Sequence, residues 1–196
     1  MHMDKAVIDA DFFIKMTAYD VEGKLFLQLM EDLDFQPVMH RYVAEIELRK
    51  SETAITLIGE NKIQVVDYAD YILSNDDYID YFLQAFEKMN RFDFPEKEDV
   101  FTYHAEDESL GEIRSIYMAK MMGYSIFISD DGMARRLATH IFLPQKPIEA
   151  KSFFQVLMDG KTKGTSITLK QLNPTISNMF RNRKDLLEQL RDAYAE

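Results

Sequence analysis

Along the chain, short apolar runs that end in acids alternate with stretches in which apolar residues recur every three to four positions. That alternation predicts strands and helices in turn. From Lys5, "AVIDADFFIKM" opens as a buried strand that delivers polar groups to its carboxyl end. "VEGKLFLQLMEDL" then predicts a helix from about Val21 to Leu33, with Leu25, Leu29 and Leu33 at spacings of four and Phe26 and Met30 beside them. Phe35 to Val38 reads as a brief extended link containing Pro37, and "MHRYVAEIELRK" as an amphipathic helix with Val43 and Ile46 inward and Glu45 close to that face. "IQVVDYA" suits a second short strand, and "DYILSNDDYIDYFLQAFEKMN" one or two helices with tyrosines along an acidic surface.

A loop through "RFDFPEKEDVFTYHAED" leads to "SLGEIRSIYMAKMMG", where Ile113, Ile116, Tyr117 and Met121 follow helical spacing and Gly123 is the carboxyl cap. "YSIFIS" predicts a strand, and "DDGMARRLATH" a helix with the two aspartates in its leading turn. "IFLPQKPIEAKSFFQVLMDG" reads as strand, Pro-containing loop and helix, and the tail from Leu169 as helix broken at "NP". This order implies an α/β fold with a parallel sheet covered on both faces. At 196 residues the chain suits one domain, and it carries no internal repeat or low-complexity linker.

Composition narrows the classes. With 46% hydrophobic and 29% charged residues, disordered and fibrous proteins drop out. The absence of cysteine removes disulfides, thiolate zinc sites and cysteine nucleophiles, agrees with a reducing compartment, and leaves oxygen ligands for any metal. The opening "MHMDKAVIDADFF" fits neither a signal peptide nor a membrane helix, so the expectation is a cytoplasmic protein without a membrane partner. A net charge of -11 argues against a broad nucleic-acid surface. The charge is uneven, however. Residues 1–100 carry 10 Lys and Arg against 22 Asp and Glu, a net of -12, while residues 134–196 carry 11 against 6, a net of +5. Arg135, Arg136, Lys161, Lys163, Lys170, Arg181, Arg183 and Lys184 are either a local basic patch or solvated helix faces.

The acids share one placement. Asp9 and Asp11 follow the first strand, Glu45 lies on the second helix, Glu112 opens a later one, and Asp130 and Asp131 end the "IFIS" strand. Open α/β sheets put ligand sites at that edge. Carboxylates converging there repel one another unless a hard cation neutralises them, and Mg²⁺ or Mn²⁺ prefers such ligands. A site of this kind activates water for attack on a phosphodiester. Plainer readings stand beside this one. Asp9, Asp11, Asp130 and Asp131 suit helix caps, and Ser109 with Glu112 makes a capping box. Glu47 lies two residues from Glu45, and Arg135 and Arg136 suit ion pairs as well as phosphate contacts. His40, His104 and His140 lack metal-ligand spacing, Ser115, Ser125 and Ser129 stand in no nucleophile elbow, and no glycine-rich phosphate loop is present.

The order and surroundings of the acids resemble the PIN nuclease family, through "VIDADFF", "YVAEIE", "SLGEIRSIYMAKMMG" and "IFISDDGMARRLA". The resemblance covers most of the first 150 residues and extends weakly into "KPIEAKSFFQVLMDGK". It implies a three-layer α/β/α sandwich with a central parallel sheet, Mg²⁺ or Mn²⁺, and cleavage of single-stranded RNA, often by the toxin of a toxin-antitoxin pair. It also implies that Asp9, Glu45, Glu112 and Asp131 are the catalytic, metal-binding acids, with Asp11 and Asp130 neighbouring the metal and Arg135 and Arg136 contacting nucleic acid. The domain is expected over residues 1–160, with an acidic helical insertion near 51–104 and a helical extension over 161–196 packed on it. An antitoxin protein and a second copy of the chain are the protein partners left open. Asp11 departs from the family, which often has Asn, Ser or Thr there, and the stretch from Ser51 to His104 is longer than in a minimal toxin. Two further readings use the same residues. One is a haloacid-dehalogenase-type phosphatase with Asp9 as nucleophile, Asp11 as acid and base, and "ISDDG" as late metal ligands. The other is a non-catalytic PIN-like binding module.

Overall fold

The computed structural model describes residues 3–67, 74, 76, 77, 80, 83, 110–140 and 148–195, the side chain of His140 excepted. Five short stretches pair as one all-parallel sheet: β1 (Asp4–Ile8), β2 (Phe35–His40), β3 (Gln64–Val66), β4 (Ile126–Ile128) and β5 (Glu149–Lys151), in the order β3-β2-β1-β4-β5. The helices are α1 (Ala10–Thr17), α2 (Lys24–Asp32), α3 (Glu52–Gly59), α4 (Leu110–Met121), α5 (Gly132–His140), α6 (Phe153–Thr162), α7 (Leu169–Met179) and α8 (Lys184–Ala193), with a π-helical segment at Val43–Glu47.

Strand residues alternate between two cores, as a period of two requires. Ala6, Ile8, Phe35, Met39, Ile126 and Ile128 face the core shared with α1, α2, α3, α6, α7 and α8. Val7, Val38 and Phe127 face a smaller core shared with α4 and α5. The result is a three-layer α/β/α sandwich around a parallel sheet. On the larger side, Phe26, Phe12, Phe153 and Phe180 form a chain of rings with successive centroids 6.5, 5.7 and 5.9 Å apart. Burying each such side chain contributes about 1.5–3 kcal/mol. Leu172, Ile176, Phe180, Leu190 and Tyr194 of the last two helices are buried in that same core, and Tyr194 Oη donates to the Leu157 carbonyl at 2.6 Å.

Three local expectations differ from what forms. Phe35–Val38 belongs to a full strand that continues to His40. Pro37 is tolerated because β3 pairing begins only at Val38, so the strand has one neighbour, Ala6 of β1, at the proline. The segment after β2 is the π-helix, with Val43 buried but Ile46 49% exposed, so Ile46 does not face the core. Helix α7 runs unbroken through Pro174, held by a Thr168–Gln171 capping box and by burial of Leu172, Thr175 and Ile176. Gly123 adopts φ +68° at the end of α4, where its N–H donates to the Lys120 carbonyl at 3.1 Å, as a helix-ending glycine should. His104, Ser109, most of the tyrosine-rich segment and the "IFLP" stretch lie outside the described residues.

Candidate active site

The chain runs β1, β2, β3 toward one edge of the sheet and then returns to place β4 and β5 on the other side of β1. The strand order reverses between β1 and β4, and a crevice opens at the carboxyl ends of such a pair. Asp9 directly follows β1, and Ser129, Asp130 and Asp131 directly follow β4, so sequence order alone puts these residues at that crevice. The Asp9 N–H donates to the Ile128 carbonyl at 3.0 Å, which ties the two strand ends together.

Asp9 is 1% exposed and caps α1, with Oδ1 accepting from the Ala10 N–H at 2.9 Å. Its Oδ2 accepts from the buried Ser129 hydroxyl at 2.9 Å, and the same Ser129 Oγ accepts from the Asp131 N–H at 3.1 Å. One hydroxyl therefore sets the spacing of two acids. Asp131 caps α5 with Oδ1 alone, which accepts from Met133 N at 2.6 Å and Ala134 N at 2.9 Å, leaving its second oxygen for other work. Capping and site duty coexist in both residues.

The acid contributed by the segment after β2 is Glu47, whereas Glu45 points to solvent, its side chain 65% exposed and 3.7 Å from Arg41. The Gly111 N–H, in the first turn of α4, donates to the Glu47 carboxylate. A Cβ on Gly111 would stand 2.6 Å from Glu47 Cδ, so the carboxylate fills space that a side chain at 111 would take and would have to shift to make room. Glu112, the next residue of α4, has a buried Oε2 without a hydrogen-bond partner.

These carboxylates hold one another's protons. Burial, opposed by the Ser129 and Ala10 hydrogen bonds and aided by Asp11 and Asp131, pushes Asp9 up to about 6. Burial and the charge of Asp9 push Glu47 up to about 7, although part of its side chain meets solvent. Burial, then Asp9, Glu47 and Asp131, push Glu112 up to about 8. Among the described residues, every charged group that shifts these three is another carboxylate.

Asp11 and Asp130 are neutralised differently. Lys15 Nζ lies 2.5 Å from Asp11 Oδ2 and 2.8 Å from Asp130 Oδ2, while Asp130 Oδ1 accepts from the Phe153 N–H at 3.3 Å. This triad braces α1, the β4–α5 turn and α6. Arg135 Nη1 donates to the Ser129 carbonyl at 2.9 Å and so supports the same turn, and Arg136 lies on the exposed face of α5.

The structure thus gathers Asp9, Glu112 and Asp131 of the expected acids, adds Glu47, and turns Glu45 away. The signal for Glu47 is Gly111, a small residue directly before Glu112 that makes room for a side chain from elsewhere. The donor chemistry, all carboxylate oxygen with one buried oxygen unsatisfied, fits a hard dication. Among the described residues, no three or more His, Cys, Asp or Glu side chains are placed so that together they could hold a metal ion. Comparison with known family models, with curated proteins and with solved structures finds no match.

Proposed function

We propose that the chain is a PIN-like ribonuclease that hydrolyses phosphodiester bonds of single-stranded RNA with the help of Mg²⁺ or Mn²⁺. The observation that carries the reading is the gathering of Asp9, Glu47, Glu112 and Asp131 at the reversal of strand order, with no basic group among the described residues shifting Asp9, Glu47 or Glu112. Such an arrangement costs stability and is what a divalent-cation site needs. When bound, a divalent cation supplies a lowered pKa for water and positive charge for the phosphate oxygens.

The chain's own residues orient and exchange protons. Asp9 is fixed at both oxygens, Asp131 is fixed through one and offers the other, and Glu112 presents its unpartnered Oε2. Glu47 is held by the Gly111 amide and remains open to solvent, and its pKa near 7 suits it to accept a proton from the attacking water. Covalent catalysis by Asp9 fits less well. Its two oxygens are both hydrogen-bonded at 1% exposure, and the acid-base partner it would need, Asp11, is held by Lys15.

The test is to incubate the purified chain and Mn²⁺ with end-labelled single-stranded RNA and, separately, with p-nitrophenyl phosphate. RNA cleavage that disappears with EDTA and in Asp9→Asn, with no release of nitrophenol, is the expected result. Monoester hydrolysis with intact RNA would overturn the ribonuclease reading in favour of a phosphatase.

A further inference from the structure

We infer that the turn between α7 and α8, which carries Arg181, Arg183 and Lys184, holds the phosphate backbone of the nucleic-acid strand that reaches the acidic site. This rests on the reading of that site as a nuclease centre.

The aromatic chain places the turn. Phe153 opens α6 immediately after β5, at the same carboxyl edge as Asp9 and Asp131, and its N–H donates to Asp130 Oδ1 at 3.3 Å. Its ring packs 5.7 Å from Phe12, three residues beyond Asp9. Phe180, which ends α7, packs its ring 5.9 Å from Phe153 and 6.2 Å from Phe154. The residues that follow, Arg181 to Lys184, therefore emerge at the sheet's carboxyl edge, two ring contacts from the helix that Asp9 caps. All are exposed.

Charge supplies the second part of the argument. Among the described residues no acid pairs with Arg181 or Lys184, and Arg183 is steadied by Asp185, with Nε and Nη2 contacts at 3.2 and 3.1 Å. Lys151 and Lys163, by contrast, are committed to Glu149 and Asp159, and to Asp34. Approach over α6–α8 is favourable, because residues 153–195 carry 7 Lys and Arg against 4 Asp and Glu, a net of +3. Backbone phosphates are read by such exposed Arg and Lys without regard to base identity.

The measurement is fluorescence anisotropy of a labelled single-stranded RNA bound by the intact chain in EDTA, over a range of salt, for wild type, Arg181→Gln/Lys184→Gln, Arg181→Glu/Lys184→Glu and Lys62→Glu. Thermal melts establish that each variant folds. The Gln pair is expected to weaken binding about tenfold and to reduce the slope of log affinity against log salt by about 0.7 for each phosphate no longer neutralised, the Glu pair more, and Lys62→Glu neither. A DNA strand of the same sequence is expected to behave alike, because phosphate is what the turn reads. Unchanged affinity and slope in both double variants, an equal loss in Lys62→Glu, or a dependence confined to RNA would overturn the inference. Strand binding that depends on Arg181 and Lys184 in a chain that cleaves no RNA would leave the turn's role standing and remove the nuclease reading instead.

Discussion

Asp9 and Asp131 share a hydroxyl, whereas Asp11 and Asp130, their near neighbours in sequence, share an ammonium. Both pairs bridge the ends of β1 and β4. Lys15 offsets part of the charge of the second pair and makes it a brace between helices. Ser129 spaces the first pair without balancing it, and Glu47 and Glu112 add two further carboxyl groups from two other elements. Among the described residues, Lys15 pairs with Asp11 and Asp130, and no ion pair to Asp9, Glu47, Glu112 or Asp131 forms.

The sharpest way to break this contrast is at the acids. Asp9→Asn and Glu112→Gln should each lower metal-dependent RNA cleavage by about 100-fold or more, measured in single-turnover reactions. A comparable loss in Asp11→Asn would erase the distinction between the pairs. The next largest effect is on stability. Lys15→Met leaves two part-buried acids facing each other and should cost about 1–2 kcal/mol, read as a fall in Tm of about 2–4 °C for each kcal/mol. Asp9 would remain essential in that variant.

The two groups should also respond to pH in different windows. Asp9, Glu47 and Glu112 titrate near 6, 7 and 8 in the folded chain, above their ordinary values, so the folded state holds more protons than the unfolded one as pH rises from about 4 to 8. Stability therefore declines across that range. Glu112→Gln should raise Tm at pH 8.5 in EDTA by about 2–4 °C and leave it almost unchanged at pH 4.5. Added Mn²⁺ should raise the wild-type Tm more at pH 8 than at pH 5, because the cation competes with protons. The Lys15 triad contributes nothing to this slope. Burial works to lower the pKa of Lys15, but Asp11 and Asp130 together outweigh it and raise the value, so the triad's stabilisation is complete below the ordinary lysine value and is lost only at higher pH. The smallest effect separates two glutamates: Glu45→Gln should change stability by less than about 0.5 kcal/mol and leave cleavage intact, while Glu47→Gln should lower cleavage.

Much of this arrangement is legible in the sequence, and the misses have physical causes. Asp9, Glu112 and Asp131 stand out because a parallel α/β sheet places strand ends and the first turns of following helices at one edge, and that rule needs only element order. Glu45 is the acid that the family resemblance selects, on a segment read as a regular α-helix from Met39 onward. The strand instead continues through His40, and the following π-helical segment has its own period, so the acid presented to the crevice is two residues later. Pro37 conceals the strand itself, since its tolerance depends on where β3 begins to pair, a fact set by the distant Gln64. The role of Lys15 also needs tertiary structure, because Asp130 lies far along the chain.

Gly111 carries an implication for variation in this protein. Glu47 occupies the volume in which any side chain at 111 would begin, so the two positions form one hereditary unit. An alanine at 111 forces the carboxylate out before any charge has changed, and a shorter residue at 47 would release the glycine. In a set of related chains, the pairing of glycine at the one position with glutamate at the other would mark those that keep this site assembled.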